Sequence, residues 1–294
     1  MNRFIRNIII GATLIIMYSC AQNPEFIKID NIVVKGIKDS LMEVHMDYVV
    51  FNPNNVKTKL KQSGMSLYYK DAYVGEGFLE NQISLKPNDT IRVPVLCNIK
   101  LDKLSKFYPE MLISDTTAFN IKGENKIGFL FNSFTIDVDE KIYLNTREII
   151  KKEINKNLGN TSNFRIKTVS INSLPTLDKT NFKITILAKN NLDFDYEIHQ
   201  MELQFFLDDK AKEPIANWSQ DKVISQKALS STEIPLEVVV DNMNTLKNSS
   251  VTMLFKKEID FIVVGQVQIK IQNYVFDVPI NDNMKMDIKK FIGL

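Results

Sequence analysis

The sequence predicts a mainly β protein made of two tandem antiparallel β-sandwiches, each with short accessory helices. Three observations carry this reading. Apolar and polar residues alternate with period two, turn chemistry separates the alternating runs, and the whole pattern recurs at an offset of roughly 136–142 residues. Two domains are also the default expectation for 294 residues.

The N-terminus comes first. Arg3 and Arg6 form a short basic region, Ile8 to Met17 an almost unbroken apolar stretch, and Ser19 is a small residue before Cys20. That is the build of a secretory signal peptide. Met17-Tyr18-Ser19-Cys20 resembles a lipobox, although Tyr18 is bulkier than the usual choice; the resemblance implies residues 1–19 as a lipoprotein signal and Cys20 as the lipidated N-terminus. The apolar stretch is about half the ~20 residues that a spanning helix needs. Residues 20–25 then serve as a tether, and the absence of Asp directly behind Cys20 leans towards an outer-membrane anchor facing the periplasm.

Composition fits an exported chain that relies on its apolar core. Past Cys20 one thiol remains, Cys97, within the alternating run Val93, Val95, Cys97, Ile99, so it reads as a buried inert thiol. Two of the 37 basic residues lie in the leader, leaving 35 against 35 acidic ones. That balance argues against nucleic acid or another polyanion as a partner.

Met42, Val44, Met46, Tyr48 and Val50 make a strand, matched by Phe182, Ile184, Ile186 and Ala188. Both run into turns, Asn52-Pro53-Asn54-Asn55 and Asn190-Asn191. Met65–Tyr69 matches Met201–Phe205, and Val93-Pro94-Val95 matches Ile234-Pro235-Leu236; the prolines predict local edges or bulges. Phe119–Gly123 pairs with Phe261–Gly265, Ile136–Val138 with Phe276–Val278, and Ile150–Lys152 with Ile288–Lys290. Leu101, Leu104, Tyr108, Met111 and Leu112 predict a short helix over Leu101–Ile113, which Pro109 should kink or end. Ile150, Ile154 and Leu158 predict a closing helix ended by Gly159, and Met284, Ile288, Phe291 and Ile292 a C-terminal helix. The expected domains are 26–159 and 164–294, with the polar run Asn160–Asn163 between them.

The first unit holds Val49-Val50-Phe51-Asn52-Pro53-Asn54, Leu67-Tyr68-Tyr69, a glycine-rich hairpin at Val74-Gly75-Glu76-Gly77, and Thr90–Val95. In this pattern it resembles the late embryogenesis abundant type 2 family, also called the WHy domain. The second unit departs from the pattern: Asn191 stands where Pro would follow, and its longer hairpin, Asp208–Trp218, lacks Gly. The resemblance implies seven-stranded immunoglobulin- or fibronectin-like sandwiches, without a catalytic site, associated with stress protection.

Candidate chemistry is sparse. His45 between Glu43 and Asp47 could form an acid–His–acid row but reads as part of a solvated strand face, and His199 stands beside Glu197 at a loop-to-strand junction; neither has a Cys partner at zinc-ligand spacing. A Gly-x-Ser-x-Gly elbow and a P-loop are absent, and Asp208, Asp209, Asp277 and Asp282 lack calcium-loop spacing. Trp218, the single tryptophan, is a possible binding residue or a lid folded over its sandwich. The expectation is therefore a protein without enzymatic activity, metal or cofactor. Two functions compete: a membrane-anchored module that binds other envelope proteins or protects them under stress, and a periplasmic carrier of a lipid or other apolar ligand. The second is suggested by 11 Met and 18 Phe.

Overall fold

The structure, a computed structural model, describes residues 22–79, 82–129, 132–172, 176, 178–207, 213–242 and 258–287. The leader with Cys20, Asp208 and Asp209, and Ile288 to Ile292 lie outside the described residues. What is described is mainly β, in several antiparallel sheets.

The chain divides into two compact units, Met1–Leu104 with Thr116–Asn145, and Ser105–Asp115 with Thr146–Leu294. This division falls ahead of the helix at Arg147–Leu158 rather than after it, and it groups Ser105–Asp115 with the later residues.

The first unit holds β1 (Glu25–Lys38), β2 (Leu41–Asn52), β3 (Thr58–Tyr69), β4 (Ala72–Leu79), β5 (Ile83–Leu85), β6 (Asp89–Lys100), β7 (Thr117–Phe129) and β8 (Asn132–Leu144). They form one curled sheet in the order β1-β2-β6-β4-β3-β7-β8, with β5 on β3, and its two ends, β1 and β8, come into contact. Alternation does what the sequence predicts: Met42, Val44, Met46 and Tyr48 are buried, against Val93, Val95, Cys97 and Ile99 of β6. Each such side chain removed from water contributes roughly 1.5–3 kcal/mol. The β1–β2 hairpin turns through Asp39 and Ser40, at φ 50° and 61°, the left-handed pair that a two-residue turn requires.

The second unit holds β9 (Phe164–Ile171), β10 (Lys179–Lys189), β11 (Tyr196–Phe206), β12 (Ala216–Gln220), β13 (Ile224–Gln226), β14 (Ser231–Asp241), β15 (Glu258–Ile271) and β16 (Tyr274–Asp287). Its sheets run β14-β10-β9 and β12-β11-β15-β16, with β13 on β11. Strand for strand this is the order of the first unit. The prolines sit where their missing donor costs nothing. Pro235 is on β14, at the end of its sheet, and Pro94 lies just before β4 begins to pair with β6 at Val95.

One difference separates the two units. Met65 pairs with Gly77 on one side and Gly123 on the other; Leu203 pairs with Trp218 and Gly265. Met65 therefore corresponds to Leu203, two residues from the sequence match to Met201, a shift that keeps the buried face. Trp218 stands at the place of Gly77. A Cβ on Gly77 would lie 2.5 Å from the Cys97 sulfur, and one on Gly75 would lie 2.0 Å from the Asn98 carbonyl oxygen. These glycines let β4 close onto β6, so the sheet is continuous. With an indole in the same place, β12 and β14 lie adjacent without ladder pairing among the described residues.

Three local expectations are corrected. Gly75 and Gly77 are mid-strand, and the hairpin turn is Lys70-Asp71, with Lys70 at φ 54°. The Leu101–Ile113 helix is a 3-10 segment, Leu101–Phe107, followed by α1 (Tyr108–Ile113), which Pro109 opens rather than ends because the first turn needs no donor there. Met284 continues β16, pairing with Phe261, instead of starting a helix. The four-residue spacing Met284–Ile288 fits both a helical and a strand period, and β15 supplies the ladder that decides it. The closing helix stands as expected, as α2 (Arg147–Leu158), with Ile150, Ile154 and Leu158 buried and the Gly159 N–H donating to the Asn155 carbonyl at 2.8 Å.

Because Gly75 faces backbone, Gly75→Ala should destabilise the protein by about 2 kcal/mol or more, as overpacking does. Gly64→Ala, with open space around its Cβ, should change stability by less than about 0.5 kcal/mol. Urea unfolding followed by circular dichroism compares the two.

Candidate functional site

The two predicted turns are built around buried, hydrogen-bonded carboxamides. Asn52, at the end of β2, is 0% exposed. Its Nδ2 donates to the carbonyls of Val56 (3.0 Å) and Lys86 (2.9 Å), with Leu85 at 3.4 Å. Its Oδ1 accepts from the Asn54 N–H (3.2 Å) and the Asn54 Nδ2 (2.9 Å). One side chain thus ties the turn after β2 to the loop between β5 and β6. Pro53 between them has no N–H to satisfy.

Asn54 carries the chain further. Its Oδ1 accepts the Gln22 N–H at 2.9 Å and its Nδ2 donates to the Gln22 carbonyl at 2.8 Å. The carboxamide therefore pairs with the backbone of Gln22 as a neighbouring strand would.

The second unit repeats the device. Asn190, at 1% exposure, donates from Nδ2 to the carbonyls of Phe194 and Lys227, both at 2.9 Å, and accepts the Leu192 N–H at 2.9 Å. Asn191 donates to Asn163 Oδ1 at 2.8 Å, and Asn163 donates to the Asn157 and Leu158 carbonyls at the end of α2. Beside this turn Lys227 and the Ala228 N–H hold the Asp195 carboxyl below its usual range. Carboxamides neither ionise near neutrality nor attack electrophiles. With their donors and acceptors engaged by backbone, these residues hold loops together.

The other candidates are dispersed. His45 Nε2 meets Glu43 at 2.8 Å, but Asp47 accepts from Asn31 at 2.6 Å and lies 3.8 Å from Arg92, so no acid–His–acid row forms. Lys28 and Arg92 hold the Asp30 carboxyl down at about 2 on the same surface. His199 meets Glu197 in the same manner, at 2.7 Å. Asp282 accepts the Ile166 N–H at 2.6 Å and so fastens β9 to β16, while Asp277 is exposed on β16. Trp218 is half-buried beside an open cleft of about 510 Å³ lined by Glu202, Gln204, Asn217 and Gln266. Among the described residues no three His, Cys, Asp or Glu side chains gather closely enough to hold a metal ion, and no helix is long and apolar enough to cross a membrane.

Burial pushes the Cys97 thiol up to about 12. Sequence reasoning placed Asn52 and Asn190 in turns from their residue type but missed Gln22, Asn163 and Gln226. Gln226 donates to the Ala188 and Ser230 carbonyls. Gln22 and Gln226 reach partners 32 and 38 positions away, Asn54 and the Ala188 carbonyl, and Asn163 caps the end of α2, contacts that residue type alone does not announce.

No family model matches the chain, and no curated protein matches it. Solved structures similar to parts of it include a protein from Archaeoglobus fulgidus, at 11% identity and TM-score 0.35, over 42% of this chain and 98% of its own. A protein from Arabidopsis thaliana is similar at 16% identity and TM-score 0.35, over 42% and 78%. A glycosyl hydrolase family 2 member from Bacteroides cellulosilyticus is similar at 9% identity and TM-score 0.26, over 83% and 28%. Likenesses at these scores assign neither a family nor an activity.

Asn190→Ala strands the Phe194 carbonyl and the Leu192 N–H, and leaves the Lys227 carbonyl with the Ser230 hydroxyl as its partner; it should cost about 2–4 kcal/mol. Asn190→Asp, which turns an anion towards the same carbonyls, should cost at least as much. Trp218 fluorescence during urea unfolding reads both. Cys97 should be inert to a thiol reagent at pH 8 until the protein is denatured. Its folded thiol keeps a proton that the unfolded one loses near 8.5–9. Stability should therefore fall as pH rises from about 9 towards 12, and less steeply in Cys97→Ala.

Proposed function

We propose that this chain is a lipid-anchored envelope protein, non-catalytic, whose two late embryogenesis abundant type 2-like sandwiches bind other envelope proteins or protect them under stress. The carrying observation is that the family-like Asn turn recurs at the same topological place in both units, buried and used up by backbone contacts. Such a motif serves architecture and leaves recognition to the outer sheet faces. Lipidation of Cys20, residence at the outer membrane facing the periplasm, and the immunoglobulin- or fibronectin-like form of each unit belong to the same reading.

Carriage of a lipid is the competing reading. Against it stands the use made of the residues that suggested it. Met42, Met46 and Phe119 in the first unit and Phe182, Phe205 and Phe261 in the second are fully buried core side chains.

A strain lacking the chain should lose envelope integrity after drying or osmotic shock. Restoring the wild-type chain should recover it, and a Cys20→Ser version, released to the soluble fraction, should not. Unchanged integrity in the deletion strain would remove the stress role. Native mass spectrometry of the soluble form separates the competing reading: an adduct in the lipid mass range would favour carriage, and a bare chain favours protein partners.

A further inference from the structure

The contact between Asn54 and Gln22 fixes more than a loop. Gln22 is two residues from Cys20, so its Cα lies within about 7 Å of the anchored residue's Cα, even with the chain fully extended. There is no slack beyond it either: Pro24 is buried and Glu25 already pairs with Phe51. The tether is thus held against the end of the first unit by two hydrogen bonds and the start of a ladder.

That end can be identified. Asn52 pairs with Asp89 and Thr58 with Leu85, so the turns 52–57 and 86–88 lie there with Gln22. The Asn88 N–H donates to the Asn54 carbonyl at 3.1 Å and knits them together. Val56 stands 40% exposed at the tip, between Asn55 and Lys57, and Lys86 is exposed beside it. β7 and β8 also turn back at this end, pairing Phe129 with Asn132. The hairpins Asp39-Ser40 and Lys70-Asp71 lie at the opposite end, a strand length away, about 35 Å for the twelve residues of β2.

We infer that the turns Asn52–Lys57 and Lys86–Asn88, docked on Gln22 through Asn54, form a membrane-facing surface that rests on the lipid headgroups. This rests on the lipidation of Cys20 proposed above. The occupant is the bilayer itself, because a two-residue tether clamped at Gln22 leaves no room for an intervening domain. Val56 and the long apolar stems of Lys57 and Lys86 suit the boundary between headgroups and acyl chains.

The test uses the full chain, purified from a lipidating bacterial host and reconstituted in vesicles of phosphatidylethanolamine and phosphatidylglycerol. Cys97 is buried, so a maleimide fluorophore reports an introduced cysteine. Val56→Cys and Asp71→Cys are placed in exposed turns at the two ends. A nitroxide on the lipid headgroup should quench the probe at 56 at least about threefold more than the probe at 71, given their separation. Equal quenching, or stronger quenching at 71, in protein whose intact mass carries the lipid would overturn the orientation and leave the anchor standing. An intact mass without lipid, and protein that fails to float with vesicles, would overturn the anchor and the orientation with it.

Discussion

A carboxamide buried away from water must find partners for two N–H donors and an oxygen, or it costs more than it contributes. Asn52 and Asn190 meet that demand largely with backbone groups of the loops beside them. Each stands where a central strand ends and two loops approach it, and each fixes both loops at once. The ladders on either side then start in register. β2 and β10 then pair along their length with β6 and β14.

The two units treat a second constraint in opposite ways. Sheets that meet at an edge can either pair or pack, and the side chain on the facing strand decides which. Glycines at 75 and 77 bring β4 within hydrogen-bonding distance of β6, and one continuous curled sheet results. The second unit, with Trp218 in that place, keeps two separate sheets that enclose the same kind of core. A repeat can thus keep its strand order while changing how its seam is sealed.

Period-two alternation in β2, β6, β10 and β14 was legible in the sequence because each buries one face. The repeat was legible for the same reason, down to Gly123 and Gly265. What escaped was whatever depends on contact across the fold. Gly75 and Gly77 read as a turn because glycine favours turns, yet their use is a close approach to a strand some twenty residues away. The Met284 spacing was compatible with two periods until β15 supplied a partner. Asn54 announced a turn, but its hold on Gln22 joins residues more than thirty positions apart, and no local pattern encodes that.

The path of the chain through the first unit has a mechanical meaning. It enters at the start of β1 and leaves after Leu144, at the opposite end of β8. A pull between those points acts along the strands, at right angles to the hydrogen bonds of the β1–β2 and β7–β8 ladders. Those bonds would be loaded together, in shear, instead of being peeled one at a time. Tension applied through those two points would strain this unit in its strongest direction.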